Sequence, residues 1–164
     1  MPNSAGLSFT NDELALMSLF QSITGENPIA CKIVDDYIYF IITERSLYKI
    51  MSDPVLRTEL RRHTGGRFTR NRVLRALSSI LSESIGANSY VAVYYEDPAE
   101  FLKGFFGLDS TSRIDLKKVN GRLVATLYVS PAKKGIVIGR NGIRAKAGRL
   151  FGKALYDIEQ INIR

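Results

Sequence analysis

The sequence predicts an α+β fold in which one supersecondary unit occurs twice, over residues 1–95 and 96–164. Three observations carry that prediction. Both halves read in the same order (helix, strand, strand, short helix, long helix, strand), and an internal repeat of this kind says more than any single motif. Asn120-Gly121 stands between two alternating apolar runs, the strongest short-range hairpin signal. Gly139-Arg140-Asn141-Gly142 separates an apolar run from a helix-forming basic segment, the pattern of a tight turn between two helices.

The first unit opens with Thr10-Asn11-Asp12-Glu13, a capping box for a helix whose apolar stripe is Leu14, Met17, Phe20 and Ile23, with Gly25 as its stop. Two β-branched and aromatic runs follow, 29–34 and 37–43, turned by Asp35-Asp36. Cys31 alternates with Ile29 and Ile33, which predicts a buried, inert thiol. Tyr37 and Tyr39 are read as sheet packing. Residues 46–51 form a short helical candidate, and Asp53-Pro54 starts another brief helix that ends at Thr64-Gly65-Gly66. A long helix from about Asn71 to Gly86 buries Val73, Leu74, Leu77, Ile80 and Leu81, and 90–95 is a strand.

The second unit repeats the scheme. Asp97-Pro98-Ala99-Glu100 is a strong helix start, Phe101, Leu102, Phe105 and Phe106 form the buried face, and Gly107 is the stop. Strands 113–119 and 122–129 flank the Asn-Gly turn. A helix from Gly142 to about Tyr156 and a strand at 158–163 complete the unit. On that helix Ile143, Ala147, Leu150, Phe151 and Ala154 share one face, and Lys146, Arg149 and Lys153 another.

Composition narrows the function. The net charge of +7 favours a polyanionic partner, nucleic acid or an anionic surface. With one cysteine and one histidine, His63, no disulfide, cysteine-rich metal site or histidine-based catalytic scheme is expected. The first ten residues are polar and lack the pattern of a secretory leader, and the longest apolar or aromatic run, 37–42, is far too short for a bilayer. A cytoplasmic protein without membrane association is the expectation. No GxGxxG and no phosphate-loop motif occurs, so a nucleotide-using enzyme is disfavoured.

Two basic segments are candidates for the polyanion. In the first, glycines at 139 and 142 let the backbone approach a ligand closely, and the following helix offers the N–H groups of its first turn to an anion. Arg140 and Arg144 add full charges there. The same spacing also serves simple close packing of two helices. The second segment holds Arg57, Arg61, Arg62, Arg67, Arg70, Arg72 and Arg75 against a single acid, Glu59. It reads either as a solvated face or as a nucleic-acid or partner-binding patch. His63 within it is read as an exposed, neutral imidazole.

The order αββααβ, with Ile138-Gly139-Arg140-Asn141-Gly142 between its central helices, resembles the type II K-homology (KH) domain. Two such units with Asp-Pro-Ala-Glu-Phe between them resemble the archaeal NusA-like transcription factors. The resemblance implies two tandem type II KH domains, each a mixed three-stranded sheet backed by helices. It further implies a non-enzymatic protein, without metal, cofactor or small-molecule substrate, that binds single-stranded RNA in transcription termination or antitermination and contacts RNA polymerase. A KH loop of this kind clamps the backbone of about four nucleotides. Carried over by position, the RNA-binding set is Ile136, Ile138, Gly139, Arg140, Asn141, Gly142, Ile143, Arg144, Ala145 and Lys146, with Ile136, Ile138 and Ile143 walling a base groove. Ala145 stands where family members carry a larger aliphatic side chain, which implies a shallower groove. The first unit lacks the second spaced glycine at Gly65-Gly66-Arg67-Phe68. There the resemblance implies a degenerate clamp, partly replaced by an arginine-rich insertion at 52–70 whose Arg57, Arg61, Arg62, Arg67 and Arg70 form a secondary RNA contact. The alternative is a ribosomal or ribosome-assembly KH protein gripping structured RNA with that cluster.

Overall fold

Seven helices and six strands follow one another in the computed structural model, which describes residues 7–164. Residues 1–6, most of the segment read above as lacking a leader, lie outside the described residues. Phe9–Tyr94 form one compact unit, and Tyr95–Arg164 belong to the other. Both are α+β, each with a mixed three-stranded sheet backed by helices.

The first unit runs α1 (Asn11–Thr24), β1 (Ala30–Val34), β2 (Tyr37–Thr43), α2 (Glu44–Ser52), α3 (Pro54–Thr64), α4 (Arg70–Ile85) and β3 (Ser89–Tyr94). The capping box forms as read: the Glu13 N–H donates to Thr10 Oγ1 and the Thr10 N–H to Glu13 Oε1. β1 pairs antiparallel with β2, and β2 pairs parallel with β3. Phe20 of α1 meets Phe40 of β2 at 5.0 Å between ring centres, and Leu47, Ile50, Leu60, Leu77 and Leu81 fill the core around them.

Three readings are corrected here. Leu14 is about half exposed (49%), because α1 turns Glu13, Phe20 and Thr24 inward instead. Ile33 is also exposed (41%) although Cys31 is buried, on a strand that lies at the edge of the sheet. The unit is αββαααβ and not αββααβ, because three helices, α2, α3 and α4, stand between β2 and β3; α3 is the brief helix read from Asp53-Pro54, with Asp53 accepting from the Val55 and Leu56 N–H groups and Pro54 in its first turn.

Both edges of this sheet are closed by side chains. On β1 the Ile33 N–H donates to Glu13 Oε2 at 2.8 Å. On β3 the Val91 N–H donates to Ser78 Oγ and the Ser89 N–H to Ser82 Oγ, both from α4. Tyr90 stacks on Tyr37 and Tyr39, so these tyrosines pack on one another as sheet residues.

The second unit runs α5 (Pro98–Phe106), β4 (Arg113–Val119), β5 (Arg122–Tyr128), α6 (Pro131–Ile138), α7 (Ile143–Tyr156) and β6 (Ile158–Ile163). β4 and β5 form the Asn-Gly hairpin, with Asn120 and Gly121 both at positive φ, and β5 pairs parallel with β6. Glu159 is bulged out of that pairing, since Leu123 faces Ile158 and Val124 faces Gln160. A parallel pair needs a long crossover, and α6 and α7 are that crossover. α7 lies close on its neighbours through Gly148 and Gly152. A Cβ on Gly148 would stand 2.3 Å from Phe106 Cζ, and one on Gly152 3.0 Å from Ile161 Cδ1. The Arg149 guanidinium donates to the Ile161 carbonyl on β6. Among the described residues no side chain closes the outer edge of β4. Among the described residues no helix is long and apolar enough to cross a membrane.

Candidate nucleic-acid interface

The α6–α7 junction is shaped by its glycines. α6 ends because Gly139 takes φ 84°, ψ 169°, a region open essentially to glycine alone. Its N–H donates to the Gly135 carbonyl and closes the last turn of α6. Residues Arg140–Gly142 make one 3-10 turn, with the Gly142 N–H donating to the Gly139 carbonyl at 3.1 Å. Asn141 (φ 54°) and Gly142 (φ 73°) are left-handed, so three of the four loop residues have positive φ.

The two glycines serve different ends. A Cβ on Gly139 would lie 2.9 Å from the Arg144 backbone nitrogen and 3.0 Å from its Cβ. The chain therefore passes directly against the first turn of α7, and only glycine fits. A Cβ on Gly142 would meet nothing within 4 Å. Gly142 is needed for its backbone angle, and the space beside it is open.

Helix capping separates this junction from the rest of the molecule. Thr10, Thr43, Asp53, Thr69 and Asp97 each cap their helix with a side-chain oxygen. Among the described residues the two helices without such a cap are α6 and α7, the pair that brackets the loop. α7 is preceded by Gly142, which has no side chain to offer, and carries no acid in its first turn. Its positive end thus has neither a side-chain cap nor an acid of its own first turn, and an anion is favoured there.

The charges are unevenly committed. The Arg140 side chain is exposed and, among the described residues, has no hydrogen bond or ion pair. The same holds for Lys134. Arg144 is half-buried, its guanidinium lying alongside Gly107. Lys146 is exposed on α7. Lys133 pairs with Asp109 at 3.4 Å, and Asp109 is held down to about 2 by hydrogen bonds from Thr111, then Ser112 and Lys133. The expected basic row on α7 is partly consumed: Arg149 is tied to β6, and Lys153 pairs with Asp157 and Glu159.

The apolar side of the expected site is also redistributed. Ile136 is 66% exposed and Ile138 is half-buried, so both are available beside the loop. Ile143 and Ala145 are 5% and 3% exposed. They back the loop from the core and do not present an open wall, because α7 is buried on more than one side. Gly148 and Gly152, which let α7 seat so closely, were not singled out from the sequence. Two small residues four apart on one helix are the signal that marks such a seat.

The first unit has a counterpart junction of different chemistry. α3 starts with Pro54 as α6 does with Pro131, and both end on a positive-φ glycine. The added element of the first unit is therefore matched better by α2 than by residues 52–70. At this junction α4 is capped by Thr69, whose Oγ1 accepts from the Arg72 N–H at 3.3 Å. The helix end is thus filled from within the chain. Arg57 and Arg61 lie over the Phe68 ring at 5.4 and 5.3 Å. Arg70 pairs with Glu44, and Arg72 donates to the Thr64 carbonyl. Arg62, Arg67 and Arg75 are exposed and, among the described residues, unpaired. His63 is exposed, with Nδ1 beside the Glu59 carbonyl.

No family model and no curated protein matches the chain. Among solved structures, the crystal structure of APE1850 is similar, with 29% sequence identity and a TM-score of 0.62. The match covers 95% of this chain and 100% of that one, so the likeness extends through both units.

Proposed function

We propose that this chain is a single-stranded RNA-binding protein of two tandem type II KH domains that acts in transcription termination or antitermination. The RNA backbone crosses Gly139–Gly142. One phosphate sits at the uncapped start of α7 beside Arg140, and neighbouring bases lie against Ile136 and Ile138. The observation that carries the reading is the conjunction at one loop of a glycine-only conformation, an open approach beside Gly142 and a helix start without a side-chain cap. A turn that served packing alone would account for Gly139, but not for the missing cap or for an unpaired arginine. Contact with RNA polymerase belongs to the same proposal and rests on the resemblance of sequence.

Anisotropy titration of a labelled single-stranded RNA tests it. Arg140→Asp/Asn141→Asp replaces one positive charge by two negative ones at exposed positions, so affinity falls roughly tenfold or more while the fold persists. Duplex RNA competes poorly. Unchanged affinity in the folded double variant would remove the loop from the interface. Efficient competition by duplex would favour the structured-RNA alternative.

A further inference from the structure

We infer that the corner between α3 and α4 is a second phosphate-binding surface for RNA, built from arginine side chains gathered on Phe68 and not from a backbone loop. The inference rests on the reading above that the partner is RNA, and it assigns the first unit a mode of contact that the second does not use.

Arg57 and Arg61 are four residues apart on α3, where like charges repel. Both are nonetheless drawn over one ring, at 5.4 and 5.3 Å from its centre. The ring quadrupole offsets part of that repulsion. The stack holds the two guanidiniums in place, and a guanidinium over a ring face keeps its N–H edges for in-plane acceptors such as phosphate oxygens. Arg62 on α3, Arg67 in the link and Arg75 on α4 are exposed and, among the described residues, have no ion-pair partner. Helix electrostatics accounts for Arg62, which stands in the last turn of α3 where cations are favoured. It does not account for Arg67 or Arg75. A Cβ on Gly65 or Gly66 would meet nothing within 4 Å, so the approach to the corner is open. Thr69 already fills the start of α4, so an anion here is met by side chains. Regularly spaced phosphates fit several fixed forks on one surface better than scattered carboxylates of a protein partner do.

The test separates this surface from the loop. Arg62→Ala/Arg67→Ala removes two exposed, unpaired charges and leaves the Phe68 stack and the core untouched. For single strands the salt slope of binding is about 0.7 per phosphate contact, so two lost contacts lower it by about 1.4. Between 50 and 200 mM salt the unaltered chain then loses roughly sevenfold more affinity than the variant. Phe68→Leu, which frees Arg57 and Arg61, weakens binding in the same direction, with circular dichroism confirming the fold. If the double alanine variant keeps the unaltered slope and affinity while Arg140→Asp/Asn141→Asp loses binding, the second surface is overturned and the loop stands. If the alanine variant loses slope while the loop variant binds normally, the surface stands and the loop reading fails. If the unaltered chain shows no salt-dependent RNA binding, both fall.

Discussion

Glycine to alanine inside a helix ordinarily stabilises, and on α7 the structure reverses the sign. Alanine gains about 1 kcal/mol over glycine from helix propensity. At Gly148 the added methyl would stand 2.3, 2.9 and 3.1 Å from Cζ, Cε2 and Cε1 of Phe106. A ring edge can move aside only where there is room, and Phe106 is 1% exposed with Phe105 against it edge-on at 5.3 Å. Overpacking a filled core costs about 1–3 kcal/mol, and an approach this short falls at the upper end. Gly148→Ala is therefore expected to lose about 1–2 kcal/mol net. Gly135, in the middle of α6, would place its methyl in open space, and Gly135→Ala is expected to gain about 0.5–1 kcal/mol. Urea unfolding followed by circular dichroism measures both. In a Phe106→Leu background the Gly148→Ala loss shrinks, because the facing ring is gone, and the double-mutant cycle gives the coupling. A midpoint for Gly148→Ala at or above that of the unaltered chain would refute the close seating of α7 on α5.

Other outcomes follow from the same geometry. Gly139→Ala costs more than Gly142→Asn, since the first collides with the Arg144 backbone while the second keeps a left-handed residue in open space; urea midpoints rank them. Glu13 is held below its ordinary value near 4.5: burial pushes it up, but the Thr10 and Ile33 N–H groups and Lys32 outweigh that. Its contribution to stability is thus complete above the unfolded carboxylate's pKa and is lost as pH falls through the lower folded value. Glu13→Gln flattens the acid limb of the midpoint-versus-pH curve, and an unaltered limb would count against the edge closure on β1. The Cys31 thiol is pushed up to about 12, by burial first and then by the Glu13 charge, with Lys32 opposing. A thiol reagent at pH 8 therefore labels it only at the rate of unfolding, and immediate labelling of the folded chain would contradict the burial of β1.

The repeat was legible because its punctuation is local. Thr10, Asp53, Asp97 and Asn120-Gly121 announce their helices and hairpin by chemistry within four residues, and the structure places each where it was read. The turn at Gly139–Gly142 was legible for the same reason. What escaped depends on partners distant in sequence. Nothing near Leu14 says that Glu13 will turn inward to meet Ile33, twenty residues on. Nothing near Ile143 says that its face of α7 is taken by the core. Phe68 lies beyond the end of α3, so its stack with Arg57 and Arg61 forms only once Gly65 and Gly66 reverse the chain. Arg149 and Lys153 read as free charges on a helical wheel, but the bulged strand beside them claims both.

Among the described residues the outer edge of β4 is open, and that bears on how this protein behaves in concentrated solution. An unpaired strand edge is a template for a second copy, and here β4 carries Arg113, Lys117 and Lys118, with Asp115 already held by Arg113. Two such edges approaching each other bring cation against cation. Dissolved salt shortens the reach of that repulsion to about 3 Å at 1 M. High ionic strength thus removes the guard on the edge, so the colloidal optimum lies at moderate salt and self-association grows above it.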